Sequence, residues 1–565
     1  AAGEHLLATG PTGSGKTLTA FLWALNQFAA GRWEGGATRV LYVSPLKALN
    51  NDIRRNLLGP LEDLSRRGAV PAVRVQTRSG DTPASERQRM LRRPPEILIT
   101  TPESLNLMLT TVRGRQALGA VETVIVDEVH ALADNRRGTL LLTALERLAH
   151  LAGEFQRIAL SATVRPLAEV AAHVAGRDAS GRDRQMRVVN AGGDKTISLG
   201  VRFPAAARDA ADAGVKIWTP LAEAFRGVIA RNDATLLFAN SRRLAERLTW
   251  AINQDQPEPL AYAHHGSLSR EIRLEVESRL KAGELKAIVA TSSLEMGIDI
   301  GALDEVVMVQ APPSVAATLQ RIGRAGHGVG EESRGSLYPT FAQDFIEAAA
   351  LADAVAERDI ESVHCLENPL DVLCQIIVSM TATETWPVDE LYALLRRSGP
   401  YRDLPRQHYD LVLEMLAGRY AGARVRELAA RIDWDRIRGT VRARHAAVLA
   451  FYRSGGVIPD RGYYQIRLLD SGVTLGELDE EFVWEARVGQ VFSLGTQTWQ
   501  IHRITHNDVL VRPAARGSDA PPFWRAEDQG RSFHFSCRIG DFLASAETLL
   551  GEDDAEDLIE ELAVR

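Results

Sequence analysis

The sequence predicts an α/β chain in which two parallel-sheet units follow one another, with a helical module and a β-rich module behind them. Three features lead to that reading. Short apolar runs alternate with helical patterns over residues 1–180, the alternation restarts after a looser stretch at 180–215, and the character changes near 360. Unbroken apolar runs separated by helices mark strands buried on both faces of a parallel sheet.

In the first unit the runs are 40–43 (VLYV), 97–99 (ILI), 124–126 (VIV) and 158–160 (IAL), each followed by Ser, Thr or Asp. In the second they are 236–238 (LLF), 288–290 (IVA) and 306–309 (VVMV). Ligands of open α/β sheets bind beyond the carboxyl ends of the strands, so the polar residues after each run are site candidates. Two such units in series imply a bilobed molecule with a cleft. Residues 369–450 read as short helices, including 369–380, 388–397 and 439–452, with few strand-like runs. Residues 456–545 alternate and carry turn signals, as short strands do. The expected domains are 1–185, 186–360, 361–455 and 456–565.

Composition narrows the class. At roughly 100–200 residues per domain, 565 residues suggest several separate cores. A hydrophobic fraction of 45% and a charged fraction of 25% exclude disordered, collagenous and coiled-coil chains. No segment reaches the roughly 20 apolar residues of a membrane span, and none reads as a secretory signal. Cys365, Cys374 and Cys537 are too scattered for a disulfide framework or a zinc site, which fits a reducing cytoplasm. The net charge of −7 argues against a polyanionic partner only until it is located. Residues 551–565 alone carry −6, so the remainder is nearly neutral and only local basic clusters speak about partners.

Three motifs carry chemistry. Gly10-Pro11-Thr12-Gly13-Ser14-Gly15-Lys16-Thr17 fits G-x-x-x-x-G-K-[ST], in which glycines let backbone N–H groups converge on phosphates at a helix N-terminus. Thr12, Gly13, Ser14 and Gly15 would cradle the anion, Lys16 would reach the β- and γ-phosphates, and the Thr17 hydroxyl would ligate Mg²⁺. Asp127 and Glu128, at the end of run 124–126, suit a Mg²⁺ ligand and a water-activating base respectively. Together the two motifs specify nucleoside triphosphate hydrolysis, though kinases and GTPases share them. In the second unit, Gln320-Arg321-Ile322-Gly323-Arg324-Ala325-Gly326-His327 offers arginines to stabilise charge on a transferred phosphoryl group.

These residues belong to a longer series: ATGPTGSGKT (8–17), SPLKALNND (44–52), TTPESL (100–105), DEVH (127–130), SAT (161–163), FANSRRLAERL (238–248), ATSSLEMGIDIG (290–301) and QRIGRAGH (320–327). In this order they resemble the motifs of superfamily-2 DEAH-type helicases. LEMGIDIG, IPDRG (458–462) and GELDEEFV (476–483) resemble the Lhr (large helicase-related) family of bacterial and archaeal DNA helicases. The resemblance covers essentially the whole chain. It implies two RecA-like domains, a winged-helix module at 361–455 and the start of a further C-terminal domain at 456–565.

It also implies ATP and Mg²⁺ as cofactors, Glu128 as base, and Arg324 as the transition-state arginine with Arg321 and Gln320 in support. Gly297 and Asp299 would couple nucleotide to the second lobe. Pro45, Leu46, Lys47, Thr101, Pro102, Ser241, Arg242, Thr291 and Ser292 would lie along one nucleic-acid strand, although any one Ser or Thr there also serves as a helix cap or turn. Trp524 would stack on an unpaired base or be buried in the β-rich module. Arg242, Arg243, Ile458 and Arg461 would contact nucleic acid or other domains, and His264 and His265 would form local hydrogen bonds. The implied function is a 3′-to-5′ DNA helicase acting on tailed DNA or RNA:DNA duplexes in genome maintenance and DNA repair, cytoplasmic and nucleoid-associated. An RNA-directed remodeller and a catalytically idle DNA-binding fragment are the alternatives. The chain opens almost at the phosphate loop, so an upstream adenine-holding segment is expected to precede it, and His327 stands where many relatives carry Arg.

Overall fold

A computed structural model describes residues 3–11, 14–45, 47–68, 71–191, 196–212, 216–295, 303–326, 332–419, 429–454, 456–457, 463–495, 497–505, 507–514 and 530–552. The first lobe runs β1 (His5–Thr9), α1 (Lys16–Ala29), β2 (Val40–Val43), α2 (Lys47–Arg66), β3 (Val75–Arg78), α3 (Ala84–Arg92) and β4 (Ile97–Thr100). It continues through α4 (Pro102–Leu109), α5 (Val112–Leu118), β5 (Thr123–Val126), α6 (Arg136–Ala152), β6 (Gln156–Ser161), α7 (Leu167–Ala175) and β7 (Met186–Asn190). Its sheet has the order β3-β4-β2-β5-β6-β1-β7 with every pair parallel.

The apolar runs are the central strands, and their two-residue period divides them between two cores. Leu41, Val43, Leu98, Val124, Val126 and Ala159 enter one, while Val40, Tyr42, Ile97, Ile99, Ile125 and Ile158 enter the other. Strands β3 and β7 have no unbroken apolar run, and β1, with the run Leu6-Leu7-Ala8, also lies outside the expected set. Edge strand β7 is largely exposed and joins the first sheet beyond residue 185.

The second lobe runs β8 (Ile197–Val201), α8 (Ala205–Asp212), α9 (Trp218–Arg231), β9 (Thr235–Ala239), α10 (Arg242–Asn253), β10 (Ala261–His264) and α11 (Arg270–Lys281). Then follow β11 (Ala287–Ala290), β12 (Glu305–Val309), α12 (Val315–Ile322), β13 (Ser333–Tyr338) and α13 (Ala342–Ala356). Its parallel sheet has the order β10-β11-β9-β12-β13-β8.

Next come α14 (Leu370–Thr381), β14 (Trp386–Pro387), α15 (Val388–Leu395), α16 (Arg406–Leu416), β15 (Ile432–Asp435), β16 (Thr440–Ala443) and α17 (His445–Ser454). The antiparallel sheet β14-β16-β15 beside these helices is the arrangement of a winged helix. The helix expected over 439–452 is thereby corrected. Its first residues pair as β16, with Val441 buried and Arg442 exposed, and helix begins only at His445. The last module contains β17 (Tyr463–Leu468), β18 (Thr474–Asp479), α18 (Glu480–Glu485), β19 (Val491–Leu494), β20 (Gln497–Ile504), β21 (Asp508–Pro513) and α19 (Phe533–Glu552), with sheet order β18-β17-β21-β20-β19. Among the described residues no helix is long and apolar enough to cross a membrane.

The chain divides into two compact units, 1–193 with 362–458 and 194–361 with 459–565. Shared cores explain the pairing. Leu140 of α6 belongs to the winged-helix core, and Ala263 and Leu268 of the second lobe belong to the core of the β-rich module. The first pairing also carries buried charge. Glu146 of α6, 1% exposed, receives Arg157 at 2.7 Å, Arg184 at 2.8 Å and, from the winged-helix module, Arg397 at 3.5 Å. Replacing Glu146 with Leu takes from Arg157 its carboxylate partner, while Arg184 and Arg397 keep Glu154 at 2.9 and 3.1 Å. Chemical unfolding of this variant should show a loss of about 3–5 kcal/mol from the first unit, the range for breaking a buried pair.

Candidate functional site

Parallel register brings the candidate residues of the first lobe to one end of its sheet. Strand β1 pairs with β6 so that Thr9 lies beside Ser161, and β6 pairs with β5 so that Ala159 lies beside Val126. The chain leaves all three strands at the same edge: Gly10 after β1, Asp127 after β5, Ala162 after β6. The Gly10 N–H donates to the Ser161 carbonyl at 3.3 Å, tying the loop to this edge. At Gly15 the loop turns into α1 with φ 77°, a left-handed conformation that glycine adopts without the cost of a Cβ.

The Lys16 ammonium folds back over its loop and donates to the carbonyls of Gly10 at 2.6 Å and Pro11 at 2.7 Å, and to Ser14 Oγ at 3.3 Å. It places a positive charge at this loop, which suits an anionic ligand at the same place. Thr17 Oγ1 donates to Asp127 Oδ2 at 3.3 Å. Asp127 is 6% exposed, and the hydroxyl of Tyr42 on β2 donates to the same oxygen through a short hydrogen bond. Burial first, then the neighbouring Glu128 charge, push the Asp127 carboxyl up to about 6, while Tyr42, the Glu128 N–H and Lys16 oppose the rise. The same burial and the Asp127 charge raise the Tyr42 phenol well above its ordinary value. The Thr17 hydroxyl and the Asp127 carboxylate, both hard oxygen ligands, converge here and fit Mg²⁺.

Glu128 is 9% exposed and takes φ 51° and ψ 47°, a left-handed backbone that costs a non-glycine residue roughly 1–2 kcal/mol. Its N–H donates to Asp127 Oδ1 at 2.8 Å and its carbonyl accepts the Ala131 N–H at 2.9 Å, which hold the turn. His130 connects this turn to β6. Its Nδ1 accepts the Ala162 N–H at 3.2 Å and lies 3.3 Å from Ser161 Oγ, while Nε2 lies 3.5 Å from Glu128 Oε2. Because Nδ1 accepts a backbone N–H, the neutral ring carries its proton on Nε2, toward the Glu128 carboxylate.

The expected strand contacts are distributed as follows. The Pro45 carbonyl accepts Arg137 Nη2 at 2.8 Å, and Arg137 Nε meets Glu103 Oε1 at 2.6 Å, so one arginine ties 44–52 to 100–105. Thr101 is buried and its hydroxyl caps α4 by accepting the Ser104 N–H; Pro102 is the first residue of that helix. Ser241 caps α10. The capping alternative therefore describes both hydroxyls. Arg242 donates to Ser267 at 2.8 Å and lies over the Tyr463 ring at 5.7 Å, linking the second lobe to the β-rich module. Thr291 is buried after β11, and Ser292 is exposed.

In the second lobe Gln320 is half-buried on α12, and Arg321 and Arg324 are each 2% exposed. Arg321 forms a short ion pair with Glu295, donates to Asn240 at 2.9 Å and lies over the Phe238 ring at 5.1 Å. Arg324 donates to the Glu295 carbonyl at 2.7 and 3.1 Å. His264 pairs with Glu277 at 2.9 Å and His265 with Glu246 at 2.8 Å, both as local partners. Thr12, Gly13, Leu46, Gly297, Asp299, His327, Ile458, Arg461 and Trp524 lie outside the described residues, as does the side chain of Lys47.

Sequence reasoning missed Tyr42, His130, Arg137, Asn240 and Glu295. Tyr42 had a signal, since a phenol inside an otherwise aliphatic buried run needs a partner. Arg137 had none.

Three family models match the chain: DEAD/DEAH box helicase over residues 1–170, Helicase conserved C-terminal domain over 220–328, and Large helicase-related protein, winged helix domain, over 353–520. The "Lhr helicase/probable uracil glycosylase" of Mycolicibacterium smegmatis is 43% identical over 97% of this chain and 39% of its own length. The "ATP-dependent helicase Lhr-Core protein 2" of Thermococcus barophilus is 39% identical over 99% of this chain and 66% of its own length. The chain thus spans well under half of the bacterial relative. The solved structure of the Mycobacterium smegmatis helicase Lhr bound to ssDNA and AMP-PNP is 42% identical, covers 95% of this chain and 65% of its own, and superposes with a TM-score of 0.77.

The Tyr42–Asp127 bond offers a test of the site's construction. Tyr42→Phe removes the phenol donor from a buried carboxylate and should lower the stability of the first unit by about 1–3 kcal/mol, read from its unfolding midpoint.

Proposed function

The chain belongs to the large helicase-related (Lhr) family of helicases, and on that premise we propose that it is the ATP- and Mg²⁺-dependent motor core of a nucleic-acid helicase. The observation that carries the proposal is the convergence of Lys16, Thr17, Asp127 and Glu128 at one sheet edge. Thr17 and Asp127 would hold Mg²⁺, which supplies charge neutralisation to the phosphates when bound. Lys16 would leave the Gly10 and Pro11 carbonyls for phosphate oxygens, and Ser14, Gly15 and, by the motif, Thr12 and Gly13 would surround them. Glu128 would orient the attacking water and accept its proton.

From the second lobe, Arg324 would stabilise charge on the transferred group, with Arg321 and Gln320 in support and Gly297 and Asp299 reading the nucleotide. In the present arrangement both arginines gather at Glu295, so bringing Arg324 to a phosphate would mean exchanging the Glu295 carbonyl for it. His130 joins the base to 161–163, a route by which loss of the γ-phosphate would reach the rest of the lobe.

The substrate we propose is single-strand-tailed DNA or an RNA:DNA duplex, unwound 3′ to 5′ in genome maintenance by a cytoplasmic, nucleoid-associated protein. Support comes from the ssDNA named with the Mycobacterium smegmatis structure. The strand would follow Pro45, Leu46, Lys47, Thr101, Pro102, Ser241, Arg242, Thr291 and Ser292, with Trp524 stacking on a base. Their hydroxyls are largely used as caps, so backbone N–H groups and the cations would supply the phosphate contacts.

Two measurements test this. Glu128→Gln should lower ATP turnover by about 10²–10⁴-fold while nucleotide and ssDNA still bind; undiminished turnover removes the base. Unwinding of 3′-tailed duplexes should exceed that of 5′-tailed ones, and equal rates on both would defeat the polarity.

A further inference from the structure

Among the described residues of the first unit, Arg147, Arg157 and Arg184 are buried. Arg157 and Arg184 both reach the Glu146 carboxylate, at 2.7 and 2.8 Å. Arg147, the next residue of α6, has no such partner. It is 7% exposed, and its Nη1 donates to the neutral Oδ1 of Asn106 on α4 at 2.5 Å. No carboxylate among the described residues forms an ion pair with it. Asn106 is buried, and its Oδ1 also accepts Ser379 Oγ of the winged-helix module at 3.4 Å. The guanidinium is therefore fixed in place without being neutralised.

Arg147 lines a narrow pocket where the first lobe meets residues 380–394 of the winged-helix module. Leu109, Met380 and Trp386 supply apolar walls, and the Trp386 Nε1 is spent on the Met380 carbonyl at 3.2 Å. The pocket also holds Arg115, His150 and Glu384. Glu384 is already paired with Arg115 at 2.9 Å, and Arg115 donates to Thr383 Oγ1 at 3.1 Å. Two guanidiniums against one carboxylate leave an excess of positive charge. Burial first, then the Arg115 charge, push Arg147 down to about 9, while Glu384 opposes the fall. An arginine so placed keeps its proton at neutral pH, and a buried charge without a counter-charge is costly.

We propose that this pocket binds one chloride ion, held by Arg147 with Arg115 beside it, as a fixed anion between the first lobe and the winged-helix module. The space is about 20 Å³, room for a single water-sized occupant. That admits a monatomic halide and excludes phosphate, sulfate and other oxyanions. A water molecule would fit as well, but would leave the charge of Arg147 unanswered. The site goes beyond the motor reading and stands without it, since its residues belong to neither the nucleotide site nor the expected strand path.

Two measurements on the 565-residue chain test the site. In crystals soaked in bromide, the anomalous map should show a peak within hydrogen-bond distance of the Arg147 guanidinium, and none there in Arg147→Met. The second follows unfolding of the first unit while chloride replaces gluconate at constant ionic strength, which keeps screening of the exposed ion pairs unchanged. Stability should rise with chloride and saturate. At ten times its dissociation constant, chloride raises the folded-to-unfolded ratio about tenfold, and R147M should abolish that rise. The bromide map of the wild-type chain decides the matter even where R147M fails to fold. Water alone in the pocket, or halide peaks at exposed arginines with none at Arg147, would overturn the proposal. So would a chloride response that is equal in R147M and the wild type.

Discussion

Parallel pairing of β1, β6 and β5 is the constraint on which the rest depends. Parallel strands need crossover helices, and those crossovers send every strand out of the sheet in the same direction. The residues after the three strands must therefore meet at one edge, whatever their separation in the chain. Lys16, Thr17, Asp127, Glu128, Ser161 and Ala162 are neighbours for this reason. The surrounding burial then gives the polar groups their electrostatic character. Asp127, taken from water beside Glu128, collects Tyr42 and Thr17 as donors and remains a group whose charge a cation would welcome.

Backbone strain is present at the same place. Glu128 holds a left-handed backbone next to a residue whose side chain already accepts its N–H. Such a conformation persists only where surroundings over-determine it, and His130 with the β6 edge supplies that support. The second lobe solves a related problem differently. Arg321 and Arg324 are nearly buried, and Glu295 answers both, one through its carboxylate and the other through its carbonyl. Each lobe thus holds these buried charges in hydrogen bonds instead of exposing them to solvent.

The accessory modules are built into the lobes. The winged helix shares Leu140 and the Glu146 charge cluster with the first lobe. The β-rich module shares Ala263 and Leu268 with the second, and the N–H of Gly495 donates to Glu246 there at 2.8 Å. Glu246 also holds His265, so a residue within the FANSRRLAERL segment serves as a joint between domains. An extra module bound through buried charge forms one compact unit with its lobe.

Legibility followed burial. The central strands could be read from sequence because residues covered on both faces must be apolar without interruption. The phosphate loop and Asp127–Glu128 could be read because their chemistry demands particular residues at particular spacing. Edge strands β3, β7 and β8, half open to solvent, have no such run, and the wing strand β16 read as helix because its four residues alternate too briefly to declare a period. The sequence by itself determined the α/β class and the order of the modules, and it singled out the candidate residues of a nucleotide site. Tertiary structure alone decided that Tyr42 and His130 complete that site, that Thr101 and Ser241 spend their hydroxyls on helix caps, and that Arg137 joins two distant segments. Those partnerships depend on which side chains the sheet and its crossovers bring within about 3 Å, a distance that linear spacing does not encode.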